Sequence, residues 1–123
     1  KPHETIKRFY QLNFTENEIR TEIAKSFINQ YTYNETNFKF NEITTGLEAL
    51  SKIDLRHQLG FLDIPVLIIH GRMDQICPVG ASHYLEDKIK SAELKIFEKA
   101  GHVPFLTETA ELNKLLINFI NNL

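Results

Sequence analysis

Pro65-Val66-Leu67-Ile68-Ile69-His70-Gly71-Arg72-Met73-Asp74 is the stretch on which the fold turns. A proline opens a short continuous apolar run and a glycine closes it, as expected of a strand buried on both faces of a parallel sheet. Downstream, Pro78 suits the first position of a helix that carries Val79, Leu85 and Ile89 toward Lys90. Leu94, Ile96 and Phe97 mark a second strand. Leu112, Leu115, Leu116, Phe119, Ile120 and Leu123 then recur at one-face spacing, as in an amphipathic last helix. Strand, helix, strand, helix is the pattern of an α/β sheet. Two parallel strands cannot complete such a sheet, because unpaired edges and an apolar face stay open. The remaining strands are expected from elsewhere, and the chain alone is expected to self-associate. It opens on Lys1 rather than Met, so a natural start is expected upstream.

Outward from this core, residues 1–53 read as helical. Ile6, Phe9 and Leu12 with Tyr10 fit one face of a first helix. Thr15 and Glu18, three positions apart, have capping-box spacing, so a second helix is expected to start at Thr15 and to carry Ile19, Ile23, Phe27 and Ile28. Thr45 and Glu48 repeat the spacing ahead of a third, shorter helix with Leu47 and Leu50. The division expected is a helical portion over 1–53 and an α/β portion over 54–123.

With 123 residues the chain has room for one core, and 42% hydrophobic with 24% charged residues excludes disordered and fibrous classes. Fourteen basic against sixteen acidic side chains give a net charge of −2, which offers no general field for a nucleic-acid backbone. The longest apolar run, Val66 to Ile69, is far short of the roughly 18 residues of a membrane span, so a soluble, cytoplasmic protein is expected. Cys77 is the sole cysteine, which rules out an internal disulfide.

Asp74 follows the first strand and His102 follows the second, in Lys99-Ala100-Gly101-His102-Val103-Pro104. The carboxyl ends of strands are where open α/β sheets collect ligands and catalytic groups. A carboxylate there can accept the Nδ1 proton of an imidazole and leave Nε2 to take a proton from a nucleophile. Either residue alone reads as a turn former or a loop polar group; the pair, in strand context, reads as Asp and His of a Ser-His-Asp triad, in the order Ser, Asp, His.

At these residues the sequence resembles a known family. Ile53-Asp54-Leu55-Arg56, Leu62-Asp63-Ile64-Pro65 through Gly71, Asp74, Pro78, and Ile96-Phe97-Glu98-Lys99-Ala100-Gly101-His102-Val103-Pro104-Phe105 are similar to the carboxyl-terminal half of α/β hydrolases. Thr5-Ile6-Lys7-Arg8-Phe9-Tyr10-Gln11-Leu12-Asn13 is similar to the first lid helix of the pimeloyl-acyl-carrier-protein methyl ester esterases of biotin synthesis. The resemblance implies a serine carboxylesterase without cofactor, whose substrate is the methyl ester of pimeloyl-acyl carrier protein. It implies that Phe9, Tyr10, Gln11, Leu12 and Asn13 line the substrate channel, together with His102. It also implies that Arg8 and Arg20 hold the acidic carrier protein; Lys25 matches only with a shift in register. Asn13 stands where the family uses a longer amide.

The sequence departs from the family at the nucleophile, because no Gly-x-Ser-x-Gly elbow is present. Gly80-Ala81-Ser82-His83-Tyr84 lacks the second glycine and falls in the helix after Asp74, while the donors of an oxyanion hole are also missing. The chain thus reads as the last half of a hydrolase, inactive alone, with the nucleophile on the missing amino-terminal half. Cys77 has no neighbours that argue for a reactive thiolate, and Cys77, His83 and His102 match no zinc spacing. His70 reads as a satisfied polar residue at the active edge, and His3 and His57 as surface residues. The alternatives are another α/β hydrolase acting on small esters or carbon-carbon bonds, and a noncatalytic fragment that docks an acidic partner through its helical half.

Overall fold

A computed structural model describes residues 2–33 and 40–123. At its centre β1 (Val66–Gly71) and β2 (Ala92–Phe97) pair in parallel, in register from Val66 opposite Ala92 to Gly71 opposite Phe97. Pro65 has no N–H to donate, and the first cross-strand bond runs from Val66 N to Ser91 O at 3.1 Å. Upstream lie α1 (Pro2–Gln11), a 3-10 turn (Glu18–Arg20), α2 (Glu22–Tyr33), α3 (Phe40–Lys52) and a second 3-10 turn (Arg56–Phe61). The crossover between the strands is α4 (Gly80–Lys88), which packs on both of them. Beyond β2 come α5 (Pro104–Thr107), opened by a proline at its first position, and α6 (Thr109–Asn121).

The elements follow the expected order but differ in extent. The helix expected from Thr15 is split. Thr15 and Glu18 do form a reciprocal box, with Glu18 N donating to Thr15 Oγ1 at 3.2 Å and Thr15 N to Glu18 Oε2 at 2.7 Å, yet it closes only the 3-10 turn. Thr21 is extended, at φ −73° and ψ 153°, and starts α2 anew by accepting Ala24 N at 3.3 Å on its hydroxyl. The third helix begins at Phe40, not at Thr45, so Thr45 and Glu48 lie within it. Pro78 and Val79 precede α4, which ends at Lys88, short of Ile89 and Lys90.

Burial also departs from expectation. β1 is half-buried along most of its length instead of being covered on both faces, and β2 alternates half-buried Ala92, Leu94 and Ile96 with exposed Glu93 and Lys95. In α6 Leu112 is buried and Leu115 half-buried, but Leu116, Ile120 and Leu123 stay exposed, Leu123 lying past the helix end. The pair of strands is too narrow to cover more of that stripe.

Two apolar clusters hold the chain. Phe14, Ala24, Ile28 and Val103 form one, with Tyr10, Ile19, Phe27 and Leu106 around it; Phe97, Ala100 and Leu112 form the other, with Ile69 and Leu115. Residues 97–103 contribute to both, so the loop after β2 is wedged between the helical half and the sheet. Space there is minimal. A Cβ on Gly71 would sit 2.0 Å from Gly101 O and 2.4 Å from Ala100 O, both backbone atoms that cannot swing aside. Gly71→Ala should therefore lower the midpoint of thermal unfolding, because overpacking of this kind costs about 1–3 kcal/mol or more. Gly46, in the exposed middle of α3 with nothing within 4 Å of an added Cβ, should respond oppositely, Ala stabilising by about 0.5–1 kcal/mol. An unchanged or raised midpoint for Gly71→Ala would contradict the close approach at Gly71.

Candidate active site

Asp74 and His102 meet because both strand ends turn the same way. Past Gly71 the chain stays tied to the β2 side, Arg72 N donating to Phe97 O at 2.9 Å and Met73 N to Ala100 O at 3.0 Å. Asp74 N then donates to Gly71 O at 3.2 Å, which closes a tight turn and delivers the carboxylate inward. Outside this turn, Arg72 and Glu98 clasp the two loops with a two-pronged ion pair of 2.5 and 2.8 Å. Being exposed, it aligns the loops more than it stabilises them.

The Asp74 side chain is only 3% exposed and both its oxygens accept hydrogen bonds. Oδ1 accepts Ile76 N at 2.8 Å and Cys77 N at 2.9 Å. Oδ2 accepts His102 Nδ1 at 2.7 Å and lies 3.4 Å from His70 Nε2. Burial pushes the carboxyl pKa up, but the Cys77 N–H, the His102 imidazole and the Ile76 N–H together outweigh it and hold it below the ordinary carboxylate value. An ionised Asp74 only accepts, so the proton between the two residues sits on Nδ1, and in the neutral ring Nε2 is left with its lone pair. His102 is 38% exposed, and among the described residues no hydrogen-bond partner meets Nε2. The arrangement can take a proton from a group presented from outside and return it.

Two further residues brace this pair. His70, at the end of β1, lies with Nε2 2.9 Å from the carbonyl of Cys77 and Nδ1 2.5 Å from the Ser82 hydroxyl. A carbonyl only accepts, so Nε2 carries a proton and Nδ1 of the neutral ring accepts from Ser82. The same loop whose N–H groups pin Asp74 Oδ1 is thereby held from behind. Ser82 on α4 donates to His70 and is only 2% exposed, and it is this burial that keeps it from meeting a substrate as a nucleophile. Its bracing role has no signature in the sequence, since an inward serine on a short helix leaves no periodic trace; His70 is recognisable there only as a polar residue at the active edge.

The remaining candidates are spread over the helical half. Phe9 and Leu12 are 54% and 43% exposed, while Tyr10 meets Phe27 edge-on and a tilted Tyr31, with centroids 6.0 and 5.8 Å apart, and Gln11 is half-buried. Asn13 is buried, its amide donating to Phe9 O and Tyr10 O at 3.0 and 3.1 Å to close the end of α1. Its own backbone carbonyl accepts His102 N at 2.9 Å, so the segment after α1 lands on the loop that carries His102. Arg8 and Arg20 are exposed, and Lys25 is ion-paired to Glu22 at 2.7 Å. Cys77 is half-buried and serves Asp74 and His70 through its backbone. His83 stands 3.7 Å from Glu86, His57 is exposed, and the side chain of His3 lies outside the described residues. Among the described residues no group of three His, Cys, Asp or Glu side chains is arranged to hold a metal.

This framework has known counterparts. The pimeloyl-[acyl-carrier protein] methyl ester esterase of Vibrio vulnificus (strain CMCP6) is 28% identical over 117 residues, covering 95% of this chain and 46% of that protein. The AB hydrolase superfamily protein YisY of Bacillus subtilis (strain 168) is 33% identical over 109 residues, covering 89% of this chain and 39% of that one. In structure, the bromoperoxidase of Bacillus anthracis superimposes with a TM-score of 0.85 at 23% identity, over 98% of this chain and 44% of its own, a likeness of fold. The chain thus spans less than half the length of these relatives. Residues 3–109 match the alpha/beta hydrolase fold family, and with an aspartate and a histidine carried past adjacent parallel strands, the chain belongs to that family.

Proposed function

We propose that this chain is the carboxyl-terminal portion of a serine carboxylesterase, with residues 1–53 as its lid portion and 54–123 as the end of its catalytic core. The observation that carries the reading is the 2.7 Å bond from His102 Nδ1 to a buried Asp74 Oδ2, with the opposite face of the ring open. The nucleophilic serine belongs to a segment outside this chain. His102 Nε2 takes the serine hydroxyl proton as the oxygen attacks the ester carbonyl, then gives it to the departing alkoxide, which leaves as the alcohol. Water attacks the acyl-serine in the same way, and His102 returns its proton to serine as the acid is released. Asp74 stays ionised throughout and stabilises the imidazolium.

The substrate we assign is the methyl ester of pimeloyl-acyl carrier protein, because several relatives carry that name, among them esterases of Aliivibrio fischeri and Vibrio vulnificus. The alcohol released is then methanol. Exposed Phe9 and Leu12 on the last turn of α1 and beyond it suit an aliphatic acyl chain, with Tyr10, Gln11 and Asn13 shaping that end of the helix. Arg8 and Arg20, both exposed, suit a partner of acidic surface. No helix among the described residues is long and apolar enough to cross a membrane, and a cytoplasmic carrier-protein substrate fits that.

In the whole protein, with its nucleophile, Asp74→Asn should lower kcat on the carrier-linked ester by about a thousandfold or more and His102→Ala by at least as much, because the wrong tautomer or no base is left. Turnover that survives His102→Ala would remove the assignment. Arg8→Ala with Arg20→Ala should weaken turnover of the carrier-linked ester by roughly 1–3 kcal/mol at low salt and leave small soluble esters nearly unchanged, since exposed charges act by steering. Above about 0.15 M salt the difference should shrink. Equal losses on both esters would assign the arginines to the fold of the lid and not to the carrier.

A further inference from the structure

The capping box at Thr15 and Glu18 has a second occupation. Glu18 is 9% exposed, and its carboxylate reaches past the turn to the loop of His102. Oε2, which accepts Thr15 N at 2.7 Å, also accepts Gly101 N at 3.1 Å, and Oε1 lies 3.3 Å from the same N–H. The next N–H, of His102 itself, goes to Asn13 O at 2.9 Å. Residue 101 has no room to move away: a Cβ there would lie 2.7 Å from Asn13 O, 3.0 Å from Glu18 Oε2 and 3.2 Å from Thr15 N. Val103 follows into the Phe14 cluster. Three successive residues around the imidazole are therefore held by residues 13–18, two through their backbone N–H and one through its side chain.

A capping box alone would be served by a carboxylate that meets only Thr15 N. Glu18 is instead buried, and among the described residues no Lys, Arg or His forms an ion pair with it, so N–H groups alone offset its charge. Such a group persists where charge-assisted bonds are strong and well aimed. We propose that Glu18 is a positioning residue for His102, fixing the Gly101 peptide so that the imidazole is held against Asp74 with Nε2 aimed outward. This rests on His102 being the general base. Asp74 sets the tautomer from one strand end, and Glu18 sets the backbone from the lid. A misplacement near 1 Å is enough to cost about a hundredfold in rate.

The test compares Glu18→Gln, Glu18→Asp and Glu18→Ala in the whole protein, by amide hydrogen exchange at Gly101 and His102 and by kcat and KM on the ester. Gln keeps an oxygen at the same reach but not the charge, and should fall between wild type and the Asp and Ala variants in both readouts. Asp keeps the charge but is one methylene short, so it tests the contact even if the Ala variant fails to fold. In Asp and Ala variants Gly101 should exchange about tenfold faster or more, the loss expected for a charged hydrogen bond, with Ile68 and His70 in β1 unchanged. Their kcat should fall about tenfold or more at unchanged KM. Unchanged exchange at Gly101, a uniform rise through β1 and β2, or fast exchange with undiminished kcat would each overturn the proposal. Absence of ester hydrolysis in the wild type would instead overturn the esterase reading, and the exchange data, taken without substrate, separate the two failures.

Discussion

Gly71 ends β1 so close to the returning loop of β2 that any side chain there would meet the carbonyls of Ala100 and Gly101. Much of the arrangement follows from that approach. It lets Met73 N reach Ala100 O, turns the chain tightly enough for Asp74 N to bond Gly71 O, and points the carboxylate at the second strand end. Gly101 repeats the constraint one layer up, against Asn13, Thr15 and Glu18. Two glycines thus allow sheet, His102 loop and residues 13–18 to stack without intervening side chains.

The polar groups at this junction are nearly all spoken for, which is what burial demands of them. Asp74 receives two backbone N–H groups on one oxygen and His102 on the other. Ser82 and His70 secure the Cys77 carbonyl behind it, and Glu18 and Asn13 secure the successive amides of Gly101 and His102. The Nε2 edge of His102 is the part left to solvent, and it is the part that acid–base chemistry needs. Rigid support around one open nitrogen is the expected design of a site that must hold its geometry through proton transfer.

Much of this is legible in the sequence. The apolar run from Val66, closed by Gly71, places β1, and Asp74 and His102 fall at neighbouring strand ends because each follows its strand within a short loop. Helix starts are less legible. Both Thr-x-x-Glu spacings predict a helix start, but one closes a 3-10 turn and the other lies inside α3, because capping spacing records a local bond and not where the helix continues. Along β1 and α6 the apolar pattern predicts more burial than the structure has, since periodicity reports which face is apolar and not what covers it. Glu18 reads from sequence as a local cap because its second partner is 83 residues away, and no short-range pattern encodes such a contact.

NMR of the His102 ring reads its bond to Asp74 directly, and on that bond the assignment of the site rests. With selectively labelled histidine at neutral pH, the protein should show His102 as the Nδ1–H tautomer, its Nδ1 proton shifted far downfield by the carboxylate, and Asp74→Asn should abolish that shifted signal while the resonances of β1 persist. A His102 ring in the Nε2–H tautomer, or a downfield proton that survives Asp74→Asn, would contradict the assignment of these two residues as an acid–base pair.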